Sequence, residues 1–354
     1  MFFEKHPSIR KEVLYLGLVF AGIALSVFGA LFFISFGATS IEKAKESIQE
    51  TNIKAKLITE GIFKEISNTV EILANIPEIE DLTSADAPGA DTALRLYKEA
   101  SAANEDIGYI YSGYQDGTLL INDYVPPDGY NATKRPWYTS ALKESPEQSV
   151  GLPYRDANTN EWLISQSKAL LDSQGDVYGV LAIDVFLDRT NVLLENEKEY
   201  PSQRSFVLDR EGKAIIHPES DMLGQAITHI AEQLTGEQGQ FSYQEKTEKR
   251  WAFYNTVNQA KWTIVTTVER SEVINPILLH TFLYAMCIAL IAMSLALLQS
   301  WYFGRRIADP LIALGKRVKE IVESKPKTEI NYNKSNHEIA TIADNIEELT
   351  ERAL

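Results

Sequence analysis

The chain has 354 residues, of which 45% are hydrophobic, and a formal net charge of -15 at pH 7. This length exceeds what one compact core holds, so we expect more than one structural unit. The acidic balance excludes a nucleic-acid partner, because phosphate binding needs a clustered basic face. The single cysteine, Cys287, excludes a disulfide framework, and five scattered histidines lack the spacing of a metal site. We therefore expect no metal and no cofactor.

Two long apolar segments, residues 13–37 and 277–300, dominate the hydropathy. Each is long enough to cross about 30 Å of hydrocarbon as a helix. We expect the first to be an uncleaved anchor, because its apolar core exceeds the ~7–15 residues of a signal peptide, which is the alternative. Basic residues precede the first segment and follow the second, which predicts that both termini, including residues 1–12, are cytoplasmic. Residues 38–276 then lie outside a bacterial inner membrane.

The external part begins with a proline-free segment that has apolar residues at helical spacing. This pattern predicts one long helix over residues 38–80. A continuous helix of about 35 residues is roughly 50 Å long. Its apolar stripe is expected to pack on the external modules or on a second copy of the chain.

After this helix the sequence changes to short apolar runs separated by turn residues, among them Asp116-Gly117, Gly175 and Glu211-Gly212. Such runs predict antiparallel hairpins. They form two sets, in residues 81–200 and residues 201–276, joined by a charged, helix-like segment. We therefore predict an α/β fold with two sheets, each flanked by helices.

This order of elements resembles the double-CACHE (dCACHE) architecture of bacterial sensors followed by a HAMP linker. The segment FVLDREGKAIIHPESDMLG resembles the start of a second CACHE module, and RRIADPLIALGKRVKEI resembles a HAMP start. The resemblance implies two PAS-like antiparallel sheets on a long helix, with the HAMP linker in residues 301–354. It also implies the input half of a chemoreceptor, sensor kinase or diguanylate cyclase, whose cytoplasmic output domain lies outside this chain.

The cytoplasmic part has two apolar stripes at spacings of three and four, Ile307 to Ile321 and Ile339 to Leu349, separated by a polar connector. Pro310 lies near the start of the first. Two chains would bury these stripes in a parallel four-helix bundle, which predicts a homodimer. The alternative is a pair of amphipathic helices on the membrane surface.

The segment YNATKRPWY, residues 130–138, lies between strand-like runs and suggests a ligand site. Arg135 can hold a carboxylate by two parallel charge-assisted bonds, and the indole of Trp137 can donate a third. Asp184 interrupts an otherwise apolar strand, where a buried carboxylate is costly unless a cation meets it. An α-amino acid carries both complementary charges. Alternatively, the aromatic residues of this segment fill the core, and Asp184 is a solvated residue at a strand end.

Aromatic residues can complete the wall around the ligand ammonium, namely Tyr130, Tyr138 and Tyr154. The joint pattern of these residues with Arg135, Trp137 and Asp184 resembles the amino-acid-binding motif of a subset of dCACHE sensors. In that motif the arginine and tryptophan hold the carboxylate, and the tyrosines and aspartate hold the amine. Asp156 lies where a further ligand contact is expected, with a turn residue as the alternative.

The predicted function is a membrane receptor, not an enzyme, whose external dCACHE part binds an L-amino acid. We expect no catalytic residue. A biogenic amine is the alternative ligand, although it leaves Arg135 without a carboxylate. An external enzyme would need Asp156 and Asp184 as an acid-base pair. The second module is assigned to signal transmission, through a helix that Pro276 is expected to precede.

Overall fold

In the computed structural model the described residues are 9–80, 82–156, 159–257, 261–322, 340–342, 344–346 and 348. They belong to two compact units, Glu42–Ile274 and the combination of Met1–Ile41 with Asn275–Leu354. The first of these units contains two antiparallel sheets. The prediction of an α/β architecture with two such sheets and a long N-terminal helix is confirmed.

Helix α1 (Ile9–Ala74) is continuous over 66 residues. It ends before the predicted boundary at residue 80 because Pro77 disfavours helical geometry at Ile76, and the short helix α2 (Pro77–Glu80) follows. In the unit Glu42–Ile274, α1 presents a buried stripe at helical spacing. The stripe contains Ile48, Ala55, Ile62, Ile66 and Val70.

The first module contains one six-stranded antiparallel sheet with helices on both faces. Its strand order is β2-β1-β6-β5-β3, and β4 also pairs with β5. The elements in chain order are α3 (Ala90–Ala103), β1 (Ile107–Tyr114), β2 (Leu119–Ile121), α4 (Pro136–Glu144), β3 (Ser149–Val150), β4 (Tyr154–Arg155), β5 (Trp162–Leu171), β6 (Val177–Phe186) and α5 (Leu187–Asn196).

Strand β6 shows how the two faces of this sheet differ. Leu181, Ile183 and Val185 belong to the main core, together with the buried stripe of α1. Val180 and Ala182 belong to a separate cluster with α4. Because side chains alternate along a strand, Asp184 lies on the α4 face, in line with Val180 and Ala182.

The second module has a five-stranded antiparallel sheet, with strand order β8-β7-β11-β10-β9. Trp262 packs edge-on against Phe63 of α1, with ring centroids 4.6 Å apart. The buried amide of Asn52 on α1 donates to the carbonyl of Ile264 at 3.2 Å. The elements are β7 (Arg204–Leu208), β8 (Ala214–Ile216), α6 (Thr228–Ala231), β9 (Gln238–Glu245), β10 (Glu248–Val257) and β11 (Trp262–Glu269).

Helix α7 (Arg270–Phe303) follows β11 directly. Pro276 lies inside this helix, so the prediction that it precedes the helix is wrong. The first turn of α7 is fixed by Glu272, which accepts a hydrogen bond from the backbone N–H of Ser202 at 3.0 Å. This anchor lets the helix begin before the proline, which removes one backbone hydrogen bond from its interior.

Helices α1 and α7 each contain a segment long and apolar enough to cross a membrane. Within the unit that contains these segments, Phe36 and Tyr284 pack edge to face, with ring centroids 6.2 Å apart. The two helices therefore contact each other in their apolar parts.

A π-helical turn (Gly304–Ala308) leads from α7 into helix α8 (Asp309–Val322), which has Pro310 in its first turn. The predicted polar connector lies outside the described residues. Ile342 and Ile346 are helical, whereas Ile339 and Leu349 lie outside the described residues. The HAMP linker therefore stays a prediction.

Candidate functional site

The start of helix α4 carries the two residues predicted to hold a carboxylate. Asn131 caps the preceding 3-10 turn (Ala132–Lys134), since its side chain accepts from the backbone N–H of Thr133 at 3.0 Å. Arg135 is the N-cap of α4, and Pro136 is its first residue, where a proline is pre-organised for helix. Trp137 follows in the first turn.

Trp137 is anchored on the first sheet from both its backbone and its ring. Its carbonyl accepts a hydrogen bond from the hydroxyl of Ser167 on β5 at 2.9 Å. Its indole packs edge to face against Tyr111 of β1, with centroids 4.9 Å apart. The side chain is buried, with 4% of its surface exposed. The indole is thus a fixed wall of the site.

Gly113 on β1 makes this close packing possible. A Cβ atom at this position would lie 2.6 Å from the Cβ atom of Ala132 and 2.7 Å from the ring of Trp137. Both distances are below van der Waals contact, so a side chain here would displace the segment that carries Arg135 and Trp137. A strand glycine of this kind marks a close approach of two elements.

Arg135 has a guanidinium group that is only partly engaged. Its Cζ atom lies 5.3 Å from the ring centroid of Tyr130, a cation-π contact. Its Nε is a buried donor without a hydrogen-bond partner among the described residues. Burial raises the pKa of Tyr130, although the charge of Arg135 opposes this effect. An anion at this position would satisfy the unused donor.

Asp184 is the centre of a hydroxyl cluster. The hydroxyls of Tyr111 and Ser165 donate to its Oδ1 atom at 2.8 and 2.6 Å, and the hydroxyl of Tyr154 donates to its Oδ2 atom at 2.8 Å. Strand pairing explains this arrangement, because Asp184 lies opposite Tyr109 on β1 and Ser165 on β5. The carboxylate is 4% exposed.

Burial raises the pKa of Asp184 from 3.8 to about 6, and the nearby charge of Asp156 adds to the effect. The hydrogen bonds from Ser165, Tyr111 and Tyr154 oppose it. Burial also raises the pKa of Tyr111 and of Tyr154, and the charge of Asp184 is the next cause for both. The phenols therefore stay protonated as donors, and the carboxylate would be stabilised by a cation.

Asp156 is a second buried carboxylate near this cluster, with 7% of its surface exposed. Its side chain accepts from the backbone N–H of Thr159 at 3.4 Å. Burial, and then the charge and hydrogen bond of Asp156, raise the pKa of Tyr109 to about 12. Asp156 thus belongs to a turn and also borders the site.

These groups surround one cavity of about 50 Å³. One water needs about 10–15 Å³ on this scale, so the cavity suits a compact ligand. Among the described residues, no group of three or more His, Cys, Asp or Glu is placed to hold a metal ion. The lining residues are Tyr109, Tyr111, Leu119, Ile121, Tyr124, Tyr130, Arg135, Trp137, Tyr154, Asp156, Leu163 and Asp184.

Six of the seven residues predicted from the sequence line this cavity. The exception is Tyr138, which is 2% exposed and packs beside Trp137 in the cluster between α4 and the sheet. Tyr109, Tyr111 and Ser165 also belong to this region and were not predicted from the sequence. The spacing of two in IGYIYSGY, which places Tyr109 and Tyr111 on one face of β1, was the signal that could have identified the two tyrosines.

The model of a family described as Cache domain, dCache_1, matches residues 36–277. Methyl-accepting chemotaxis protein TlpB of Bacillus subtilis (strain 168) is 24% identical over 359 residues, which cover 98% of this chain and 51% of the relative. This chain spans about half or less of the length of the first curated relatives that it matches.

Two solved structures show a similar fold. The ligand-binding domain of Pseudomonas fluorescens chemoreceptor CtaA, in complex with L-serine, has a TM-score of 0.53 and 20% identity, covering 65% of this chain and 99% of that chain. The ligand-binding domain of the Pseudomonas aeruginosa PAO1 amino acid chemoreceptor PctB, in complex with L-Gln, has a TM-score of 0.52 and 18% identity, covering 65% and 90%.

Proposed function

The chain belongs to the Cache domain family, and from this premise we propose that it is a transmembrane receptor that binds an L-amino acid in the cavity of its first module. The observation that carries the proposal is the pairing of opposite charges in one small cavity, Arg135 on one wall and Asp184 on another. A zwitterionic α-amino acid presents a carboxylate and an ammonium only a few ångströms apart.

The ligand carboxylate is assigned to Arg135 and Trp137. The buried Nε of Arg135 donates to no group in the described part of the chain, and a guanidinium can hold a carboxylate through two parallel bonds. The contacts that hold Trp137, the ring of Tyr111 and the hydroxyl of Ser167, support its role as a third donor. Charge-assisted bonds of this kind contribute about 1.5–3 kcal/mol each.

The ligand ammonium is assigned to Asp184, with Tyr130, Tyr154 and Asp156 around it. Asp184 is buried among hydroxyl donors, so an ammonium would supply the missing opposite charge. Tyr138 is kept only as a support for Trp137, which it touches with centroids 5.6 Å apart. The amino acids bound by the CtaA and PctB domains support this assignment by analogy of fold.

The proposed topology places both termini in the cytoplasm and residues 38–276 outside the inner membrane. The two apolar segments and the basic residues beyond them support it. A homodimer with a HAMP bundle would connect the sensor to an output domain. The relation to TlpB favours chemotaxis as the output, with a sensor kinase or diguanylate cyclase as the less favoured outputs.

Thermal unfolding of the full chain in lipid nanodiscs tests the proposal. The panel contains the common L-amino acids, biogenic amines, organic acids and purines. We expect at least one L-amino acid to raise the unfolding temperature, with an affinity in roughly the micromolar range that about ten ligand atoms support. Stabilisation by amines without stabilisation by any amino acid would contradict the proposal and favour an amine receptor.

A further inference from the structure

One wall of the cavity consists mainly of apolar side chains, which are not assigned to the ligand carboxylate or ammonium. Leu119 and Ile121 of β2 line it, and both are only partly buried against the cluster under α4. Tyr124, in the loop that follows β2, lines the cavity beside them. These three residues form what we call the β2 wall.

Strand pairing fixes the distance from the β2 wall to the anionic end of the cavity. Ile121 lies opposite Tyr111 on β1, and Asp184 lies opposite Tyr109 on the same strand. Two strand spacings of about 4.8 Å therefore separate Ile121 from the β6 strand that carries Asp184. Tyr111 lies between them on the same face of the sheet, because it pairs with Ile121 and its hydroxyl donates to Asp184 at 2.8 Å. Ile121 and Asp184 therefore border the same cavity from opposite sides of Tyr111.

We infer that the ligand is an amino acid with an aliphatic side chain, and that Ile121 and Leu119 select it. This inference rests on the proposed function, because it assumes that the amino and carboxylate groups are held by Asp184 and Arg135. The third substituent of the ligand Cα then points to a wall that offers only apolar contact from β2. Each aliphatic carbon buried there contributes to affinity in proportion to the area it removes from water.

Among the residues that the structure describes, the β2 wall offers a charged side chain no counterion. The second carboxylate of the cavity, Asp156, is assigned with Asp184 to the ligand ammonium, and it also accepts from the backbone N–H of Thr159 at 3.4 Å. The guanidinium of Arg135 is assigned to the ligand carboxylate. A lysine or glutamate side chain would therefore be desolvated against Leu119 and Ile121 without a partner, which is unfavourable.

Calorimetric titration of the full chain in nanodiscs with L-isoleucine, L-valine, L-alanine, L-lysine and L-glutamate tests this inference. We expect L-isoleucine or L-valine to bind at least tenfold more tightly than L-lysine and L-glutamate. A smaller ratio overturns the aliphatic preference while leaving amino-acid binding intact. If none of the common L-amino acids binds to folded protein, the proposed function itself fails.

Ile121→Ala tests the role of the wall independently of the panel. The ratio of the L-isoleucine affinity to the L-alanine affinity should fall about tenfold in this variant, because only the longer ligand loses contacts. If the substitution only destabilised the protein, both affinities would change together and their ratio would stay the same. An unchanged ratio therefore overturns the assignment of Ile121. Leu119→Ala serves as the second variant. Val125→Ala is the control, because Val125 follows Tyr124 in the loop after β2 but is 89% exposed. This variant should keep the wild-type ratio of the two affinities.

Discussion

Asp184 shows how a single residue of the site depends on its surroundings. It sits on β6 between two neighbouring strands, and its three donors are neutral hydroxyls from Tyr111, Tyr154 and Ser165. These bonds lower its pKa, yet burial outweighs them, so that the value is raised to about 6. A shift of this size corresponds to about 3 kcal/mol of unfavourable free energy for the ionised form at neutral pH.

The first prediction concerns the pH dependence that follows. Between about pH 4 and pH 6 the folded chain binds more protons at Asp184 than the unfolded chain, so this residue's contribution to the free energy of unfolding decreases as pH rises. The affinity for the ligand changes with pH in the opposite direction and increases as pH rises, because the ligand ammonium needs the ionised carboxylate of Asp184. Affinity for the amino acid should fall about tenfold per pH unit below pH 6. Calorimetry from pH 5 to pH 7 measures it, and a flat affinity over this range would argue against Asp184 as the amine ligand.

The second prediction concerns the two charged anchors. Arg135→Ala and Asp184→Ala should each weaken amino-acid binding by several kcal/mol, more than a hundredfold, because each leaves one ligand charge buried and unpaired. Lys134→Ala removes the neighbouring exposed cation and is the control for Arg135. Titration calorimetry on folded variants provides the readout. Binding within threefold of wild type in either anchor variant would refute the assignment of that anchor.

At the scale of elements, the site depends on how closely α4 approaches β1. Gly113→Ala should destabilise the protein by about 1–3 kcal/mol, as overpacking does, and weaken ligand binding, because the new methyl group displaces Trp137. Gly61→Ala is the matched control, since Gly61 lies in α1 and an added Cβ would meet no described atom within 4 Å beyond its own stretch of helix. It should stabilise the protein by about 0.5–1 kcal/mol. Thermal unfolding of both variants checks these signs, and an unchanged Gly113→Ala protein would contradict the packing argument.

The sequence was sufficient to predict the two sheets and the long helix, and six of the residues that line the cavity. Apolar alternation and turn residues identified the sheets, and Asp184 stood out because it interrupts an apolar strand. Tyr111 was missed because its relation to Asp184 depends on the pairing of β1 with β6, two strands that are far apart in the sequence and whose register no single turn fixes. Ser165 lies opposite Asp184 in the hairpin of β5 and β6, so its position could have been predicted from the turn at Gly175. Tyr138 was included because the segment containing it carries several polar aromatic residues, but helical geometry turns it into the cluster under α4.

Pro276 illustrates a different limit of the sequence. A proline commonly occupies the first turn of a helix, and the apolar segment begins just after it. The helix actually starts at Arg270, and a distant contact, the hydrogen bond between Ser202 and Glu272, lies in its first turn. Such a tertiary anchor, 70 residues away in the sequence, has no signature in local composition.

At the scale of the whole molecule, the segment that joins the two modules contacts both long helices within the unit Glu42–Ile274. Glu199 accepts from the hydroxyl of Ser47 on α1 at 2.7 Å. Ser202 donates to Glu272 at the start of α7. These contacts link α1 and the start of α7 through the segment that joins the two modules.

The prediction at this scale is a ligand-dependent change in the cytoplasmic helices. A ligand shifts the equilibrium between two states of the receptor only by the difference between its affinities for them. A tenfold difference in affinity per site corresponds to about 1.4 kcal/mol. After Cys287 is replaced, cysteines at Leu311 or Ile342 should crosslink across the dimer at a rate or in a pattern that changes with ligand. Identical crosslinking with and without saturating ligand, in membranes where binding is confirmed, would exclude this route of transmission.

The recognition of both charges of an amino acid is tested most directly by three titrations of the full chain in nanodiscs. The ligands are the amino acid that binds most tightly, the amine formed from it by decarboxylation and the acid formed from it by deamination. Because Arg135 and Asp184 each need a partner, both analogues should bind at least a hundredfold more weakly, a loss of about 2.7 kcal/mol. An analogue that binds within tenfold of the amino acid would contradict the account, and it would identify which charge the cavity does not recognise.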